Sequence, residues 1–352
     1  KAIAIENSFE LAQAGLCQSK INYYHLTLAK EDFKSAEINC LAILSAETHQ
    51  SEIYNGLGDL YLMSGRLKDA EDNYQAALTL NLSSANALLG LAQTAENSSD
   101  HINAEKYYLR TIQVDKNYSR AHEKYGNFLF YQGRYTDAIN RFKKVISLNP
   151  TYGEAYNSLG AAYFADGNLE RGVEVFQKSL TINKTPEAYS NLGTAFFIEK
   201  KYELAAQMYE KAIELSPNAY MYYGFLAESY ERVPTKKGQM IDAYNKAIYL
   251  AKQVLVVNNN NNEVLTFLAM YYAKINNRVA AINILTELET KELVSGLLYT
   301  MSVSYLSLND NESALNVLEK AIDKGYDKSL VYSDENFSKL YKNKRFKEIT
   351  TK

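Results

Sequence analysis

Residues 155–164 read AYNSLGAAYF and residues 188–197 read AYSNLGTAFF, so nearly the same letters recur after 33 positions. Each copy carries a glycine, Gly160 or Gly193, inside a pattern of apolar residues with helical spacing. A glycine inside a helix costs about 1 kcal/mol relative to alanine, so its recurrence needs a compensating gain. The missing side chain allows two helices to approach closely. We therefore predict that both glycines pack at a helix crossing and bind no ligand.

A small residue recurs in this way along most of the chain, mostly at steps of 33 or 34 residues. It stands at Gly58, Ala92, Gly126, Gly160, Gly193, Ala227, Ala269 and Ser302. A second small residue follows twelve positions later in most copies, at Ala70, Ala104, Ala138, Gly172, Ala205, Ala281 and Ala314. Gly65, Gly133 and Gly167 fall between the two helical segments of their copies, where a left-handed residue can end a helix. The pattern predicts an all-α array of helix pairs.

Three stretches carry a resemblance to a known family. They read YNGLGDLYLMSGRLKDAEDNYQAALTL, YGNFLFYQGRYTDAINRFKKVISLNP and YSNLGTAFFIEKKYELAAQMYEKAIELSP, and each resembles the tetratricopeptide repeat. The resemblance implies a right-handed superhelical solenoid of antiparallel helix pairs, with a concave groove lined by the first helix of each pair. It places eight repeats in 51–328, which start near 51, 85, 119, 153, 186, 220, 262 and 295. Residues 1–50 resemble an atypical N-terminal helical repeat, and residues 329–352 resemble the helices that cap such arrays.

The repeat at 220–261 departs from the regular length by about eight residues. Its second part reads VPTKKGQMIDAYNKAIYLAKQVLVVNNNNN. We expect the second helix to be longer by about two turns and to end at the asparagine run. A local change in superhelical pitch should follow.

Composition and motifs argue against nucleic-acid binding, membrane insertion and catalysis. The formal net charge is −3, which lacks the basic footprint of a nucleic-acid binder. No apolar run approaches the roughly 18 residues that span a bilayer. The histidines His25, His49, His101 and His122 have no metal-ligand spacing, and phosphate-loop and kinase motifs are missing. We therefore predict no catalytic residue, no metal site and no cofactor.

The two cysteines, Cys17 and Cys40, are too few for a disulfide framework. Each lies in an apolar-periodic stretch, which favours buried thiols that act as small core side chains. A single bridge between neighbouring helices remains the alternative, so the redox compartment stays open.

The resemblance directs attention to the first helices of the central repeats. Tyr156, Leu159 and Tyr163 are assigned to the core. The predicted ligand-binding groove then comprises Glu123, Asn127, Phe130, Tyr131, Glu154, Asn157, Phe164, Asn191, Thr194, Phe197, Met221 and Glu228. Its three asparagines could both donate to and accept from an extended peptide backbone, and its phenylalanines recur in one frame as an anchoring stripe. Helix capping or solvation of the asparagines and core packing of the phenylalanines are the competing interpretations.

The predicted partner is a protein or peptide segment. Four glutamates near the starts of first helices could select basic peptides, although acids there also complement the helix dipole. They are Glu52, Glu154, Glu187 and Glu263. Capture of chaperone C-terminal tails is disfavoured, because Asn55 and Asp59 occupy slots where the resemblance requires basic residues.

The order of the repeats and their irregularities are similar to the repeat region of bacterial eukaryotic-like serine/threonine kinases and of membrane-anchored winged-helix regulators. This similarity implies the regulatory or sensory part of a bacterial signalling protein, with a kinase or winged-helix domain upstream of Lys1. The chain, which starts without Met, is expected to be a piece of a longer protein, either cytoplasmic or periplasmic, and attachment to a membrane helix outside it stays open. The alternative function is a free-standing scaffold for assembly of envelope or secretion complexes.

Overall fold

The computed structural model describes residues 2–27, 29–44 and 51–351, and these residues form helices and connecting turns without a β-strand. They divide into two compact units, Lys1–Asn168 (unit 1) and Leu169–Lys352 (unit 2). The division falls in the turn of the repeat that starts at 153. First and second helices alternate and pack against their chain neighbours in each unit, which confirms the predicted all-α array of helix pairs.

The helices of the regular repeats are nearly equal in length. Unit 1 contains α1 (Ala2–Thr27), α2 (Lys30–Leu44), α3 (Ser51–Met63), α4 (Leu67–Leu80), α5 (Ala85–Asn97), α6 (His101–Val114), α7 (Ser119–Tyr131), α8 (Tyr135–Leu148) and α9 (Gly153–Ala165). Unit 2 contains α10 (Leu169–Ile182), α11 (Pro186–Ile198), α12 (Tyr202–Leu215), α13 (Tyr220–Arg232), α14 (Lys237–Val257), α15 (Asn262–Lys274), α16 (Arg278–Glu289), α17 (Ser295–Ser307), α18 (Asn311–Asp323), α19 (Lys328–Ser333) and α20 (Lys344–Thr351). Two 3-10 turns, Pro234–Lys236 and Glu335–Leu340, complete unit 2.

The two helices of a repeat cross at the recurring small residue. A Cβ atom added at Gly126 would lie 2.7 Å from Cε1 of Phe142, and one added at Gly193 would lie 2.9 Å from Cε1 of Tyr209. Carbon atoms in contact do not approach so closely, so only glycine leaves room for the ring. The packing role predicted for Gly193 is confirmed, and Gly160 is buried within α9.

Tyr74 on α4 packs two consecutive repeats together. A Cβ atom added at Gly58 of its own repeat would lie 2.5 Å from the tyrosine ring, and one added at Gly90 of the next repeat would lie 2.2 Å from it. The ring is fully buried, and its hydroxyl donates to Oδ1 of Asp59 at 2.7 Å. The paired glycines therefore hold this ring between α3 and α5.

The turn between first and second helix places one residue in the left-handed conformation, seven positions after the small residue. Gly133 takes this position with φ of 73°, as its place in the sequence predicted. Lys200 takes the equivalent position with φ of 61°, at a conformational cost that glycine avoids. The geometry of the turn is therefore set by the packing of the helix pair, even where the sequence offers no glycine.

The insertion in the repeat at 220 lies at the start of its second helix. A 3-10 turn at Pro234–Lys236 leads into α14, which has 21 residues where α12 has 14. Ala247 is fully buried and lies 20 positions after Ala227, where the other repeats have their second small residue after twelve. The helix ends at Val257 with Asn258 as its C-cap, and residues 258–261 of the asparagine run form the following turn.

Cys17 and Cys40 form a disulfide bond between α1 and α2, with their Cα atoms 5.0 Å apart. The preference for two buried thiols is therefore wrong, and the bridge between neighbouring helices, kept as the alternative, is right. Both residues are buried, as the apolar pattern predicted. That pattern places a cysteine at a helix contact but does not report whether a second cysteine lies opposite.

Candidate functional site

In unit 1 the predicted groove residues lie on α7 and α9. Tyr131 has 79% of its surface exposed, and Glu154 is also exposed. The others are half-buried, namely Glu123, Asn127, Phe130, Asn157 and Phe164. Tyr156, which the sequence placed in the core beside Leu159 and Tyr163, is half-buried, and its hydroxyl donates to the carbonyl of Pro150 at 3.1 Å.

Two carboxylates of unit 1 meet at one hydroxyl. The Tyr152 hydroxyl donates to Oε2 of Glu154 at 2.7 Å, and it lies 3.3 Å from Oε1 of Glu123. Burial and the hydrogen bond to Glu154 raise the pKa of Tyr152, so the hydroxyl keeps its proton at neutral pH. Glu123 and Glu154 therefore form one acidic spot that joins the first helices α7 and α9.

The phenylalanines of the predicted aromatic stripe pack against neighbouring rings and remain partly exposed. Phe130 makes edge contacts with Tyr131, at 5.7 Å between ring centroids, and with Tyr135 at the start of α8, at 5.5 Å. In unit 2, Phe197 makes the same contact with Tyr202 at the start of α12, at 5.2 Å. Each of these phenylalanines is half-buried against its own helix pair and keeps one side accessible.

The three groove asparagines are half-buried, but they do not occupy equivalent positions. Asn127 follows the small residue of its repeat by one position, whereas Asn157 and Asn191 precede theirs by three and two. Successive residues of an α-helix turn by about 100°, so the positions of Asn127 and Asn157 fall within about 40° of each other on one side of the first helix, whereas that of Asn191 is turned by about 100° from the position of Asn157.

Among the unit 2 residues, Thr194 is engaged in packing. Its hydroxyl donates to the carbonyl of Ser190 at 3.1 Å and lies 3.0 Å from the hydroxyl of Tyr209, the ring that crosses Gly193. Met221 is half-buried on α13.

Glu228 on α13 is half-buried and belongs to a charge network in unit 2. Burial raises the pKa of Glu228 to about 7, with Lys274 opposing this rise and Glu231 reinforcing it. Nζ of Lys274 lies 2.8 Å from Oε2 of Glu231, and the lysine side chain is only 6% exposed. A partner would therefore reach Glu228 less easily than Glu154, which is exposed.

The segment Glu335–Leu340 contributes a carboxylate to the same part of unit 2. Glu335 pairs with Nζ of Lys200 at 2.6 Å and with Nη1 of Arg232 at 2.7 Å. No sequence pattern indicates these contacts, since they join positions 135 and 103 residues apart.

A polar cavity of about 250 Å³ in unit 1 lies between first helices of successive repeats. Its walls come from α1, α3, α5, α7 and the turn before α7. They are Gln18, Glu52, Asn55, Asp59, Asn86, Leu89, Gly90, Gln93, Tyr118 and Arg120. Of these residues the sequence placed only Arg120 on the groove-facing side of a first helix, although seven of them recur six or three positions before, or one position after, the small residue. Those seven are Glu52, Asn55, Asp59, Asn86, Leu89, Gln93 and Arg120.

The hydrogen bonds of this cavity leave one buried acceptor, Oδ1 of Asn55, without a donor. Nδ2 of Asn55 donates to Oγ of Ser84 at 3.2 Å, while its Oδ1 is buried and has no hydrogen-bond partner. Burial raises the pKa of Asp59, and the hydrogen bond from Tyr74 and the charge of Arg120 oppose that rise.

Within the described ranges, no group of three or more His, Cys, Asp or Glu side chains is placed to hold a metal ion. None of the helices in the part of the chain that the structure describes is long and apolar enough to cross a membrane.

Family models of the tetratricopeptide repeat match residues 55–121, 153–186, 186–219 and 295–323, and a TPR repeat model matches 126–167. Together these matches cover more than half of the chain. A comparison with curated protein sequences finds no match.

Two solved structures share the fold. A tetratricopeptide repeat protein from Parabacteroides merdae is similar with a TM-score of 0.54 and 16% identity, over 86% of this chain and 99% of that one. Cut9–Hcn1, an APC/C hetero-tetramer, is similar with a TM-score of 0.54 and 17% identity, over 82% of this chain and 52% of that one. PilF of Pseudomonas aeruginosa is similar with a TM-score of 0.49 and 22% identity, over 62% of this chain and 96% of that one.

Proposed function

The chain belongs to the tetratricopeptide-repeat family, and from this premise we propose that it is a non-catalytic domain that binds a partner protein segment along its first helices. The family fold typically serves as a protein-interaction module, and none of the matching families is catalytic. In this proposal residues 1–50 are an atypical first repeat, 51–328 are eight repeats and 329–352 are a cap.

One observation carries the proposal. The residue six positions before the small residue is exposed in all four regular first helices of unit 1, at Glu52, Asn86, Arg120 and Glu154. Half-buried amide and aromatic side chains lie next to it on α7 and α9. A row of accessible polar groups beside partly covered aromatics suits an extended segment, which needs both hydrogen-bond partners and apolar anchors. In unit 2, Asn191, Phe197 and Met221 are proposed as a second contact surface.

Affinity capture from the source cell tests this proposal. Wild-type chain is compared with Asn127→Ala/Asn157→Ala, which changes first helices of unit 1. The control is Gln113→Ala/Asn140→Ala, which removes exposed amides from second helices. We expect the wild-type chain and the control variant to capture the same partner, and we expect the first-helix variant to lose it. Equal capture by all three proteins would place binding on another surface. Asn157→Ala/Asn191→Ala extends the comparison to unit 2.

We further propose that the partner-binding domain is the regulatory or sensory part of a bacterial signalling protein. The long first repeat, the stretched repeat at 220 and the terminal cap support this role. The coding sequence upstream of Lys1 tests it: a kinase or winged-helix domain agrees with it, whereas a signal peptide alone favours the scaffold for envelope or secretion complexes.

A further inference from the structure

The polar cavity of unit 1 presents hydrogen-bond acceptors from one face of α3. Glu52, Asn55 and Asp59 are spaced by three and four residues, so they follow one another along the same side of the helix. Oδ1 of Asn55 is buried without a donor, and Asp59 receives a hydrogen bond from Tyr74 at one of its two oxygens. A carboxylate can accept more bonds than this, and a buried acceptor without a donor is costly.

The charges around the cavity also favour a cation. Its walls hold two carboxylates, Glu52 and Asp59, against one guanidinium, Arg120. The guanidinium is exposed and acts on Asp59 through its charge, while the carboxylate is half-buried beside the acceptor of Asn55. An anionic ligand would meet an excess of negative charge in the walls.

Size and surface narrow the class of cation. A cavity of about 250 Å³ suits one side chain of a partner rather than a folded element. Leu89 and Gly90 form the apolar part of the wall, and both are buried, so the accessible lining is mainly polar. An ammonium group is compact and has three donors, which matches acceptors on a single helix face, whereas a planar guanidinium needs a wider fork.

We propose that this cavity binds the ammonium group of a lysine side chain carried by the partner segment. The lysine donates to Asp59 and, once the Asn55 amide rotates toward the cavity, to Oδ1 of Asn55, with Glu52 at the mouth. The inference rests on the proposed binding of a protein segment and names the residue that the cavity selects.

Titration by NMR of the full chain tests the inference with defined probes. The probe is acetyl-Gly-Gly-Lys-Gly-Gly-amide, and its controls carry norleucine or acetyllysine in place of lysine. We expect the lysine peptide alone to shift the amide signals of residues 52–59 and 86–93.

Two variants test the acidic residues of the cavity. The asparagine of Asp59→Asn can still accept the hydrogen bond from Tyr74, and Glu52 is exposed, so both Asp59→Asn and Glu52→Gln should fold. Asp59→Asn should weaken binding about tenfold or more, because it removes a charge-assisted hydrogen bond. Asp72→Asn on α4, which changes an exposed carboxylate outside the cavity, should leave binding unchanged.

Equal shifts from the lysine and norleucine peptides, or equal affinity of wild type and Asp59→Asn, would overturn the inference. Shifts confined to residues outside the cavity would overturn it as well. If the peptides leave the cavity unshifted while the first-helix variant still loses a captured partner, the lysine inference fails and the proposed function survives. If the first-helix variant also captures the partner as well as wild type does, both the lysine inference and the proposed function fail.

Discussion

Gly58→Ala introduces a single carbon atom at the crossing of α3 and α4. The new Cβ atom would lie 2.5, 2.6 and 2.8 Å from three carbons of the Tyr74 ring. The ring cannot retreat, because on its other side Gly90 already leaves no room for a Cβ atom, at 2.2 Å. The variant must therefore displace either the ring or a helix.

The expected cost follows from two opposing effects. Overpacking a well-filled core costs about 1–3 kcal/mol, and the confined ring places this site at the upper end. Alanine gains about 1 kcal/mol over glycine in a helix, which leaves a net loss of about 2 kcal/mol. Displacement of Tyr74 would also weaken its hydrogen bond to Asp59.

Urea unfolding followed by circular dichroism measures the effect. Gly296→Ala is the matched control, because no atom lies within 4 Å of a Cβ at that position in the first turn of α17. We expect a lower unfolding midpoint for Gly58→Ala and an equal or higher midpoint for Gly296→Ala. A midpoint of Gly58→Ala that equals or exceeds the wild-type value would refute the packing argument. Gly160→Leu, which places a large side chain at a buried position of α9, should also unfold at lower urea concentration.

Three further predictions concern the bridge and two carboxyl groups. Cys17→Ser/Cys40→Ser should lose about 3 kcal/mol, because the bond closes a 23-residue separation in the unfolded chain, and faster proteolysis between α1 and α2 would report it. Lys200 holds the pKa of Glu335 below its usual 4.5, so this pair stabilises the fold above that pH and its contribution is lost as the pH falls through the lower folded value. Glu335→Gln should speed hydrogen exchange of residues 335–340 at pH 7 by about fivefold or less, since the pair is largely exposed. Because the folded pKa of Glu228 is about 7 against 4.5 unfolded, stability should fall as the pH rises between these values, and a urea titration of Glu228→Gln should lack that fall.

The repeated frame allowed the fold to be predicted in detail. A small residue every 33 or 34 positions is a direct consequence of helix crossings, so the positions of Gly193 and Gly126 could be assigned before the structure. The left-handed turn was visible at Gly133 but not at Lys200, because lysine carries no conformational signal of its own.

The candidate site was less accessible from sequence. The prediction concentrated on repeats with recurring asparagine and phenylalanine and considered Asn55 and Asp59 only as departures from a basic carboxylate clamp, because the cavity that they line depends on a neighbouring first helix. The ion pairs of Glu335 depend on how distant repeats of unit 2 pack, and no local pattern encodes such a contact.

A site-specific photo-crosslinking experiment tests the central claim most directly. A benzoylphenylalanine replaces either Tyr131, 79% exposed at the end of the first helix α7, or Ile102, 84% exposed on the second helix α6. Irradiation in source cell lysate should yield a defined protein adduct from position 131 and none from position 102. An adduct at position 102 alone, or the same adducts from both positions, would contradict binding along the first helices.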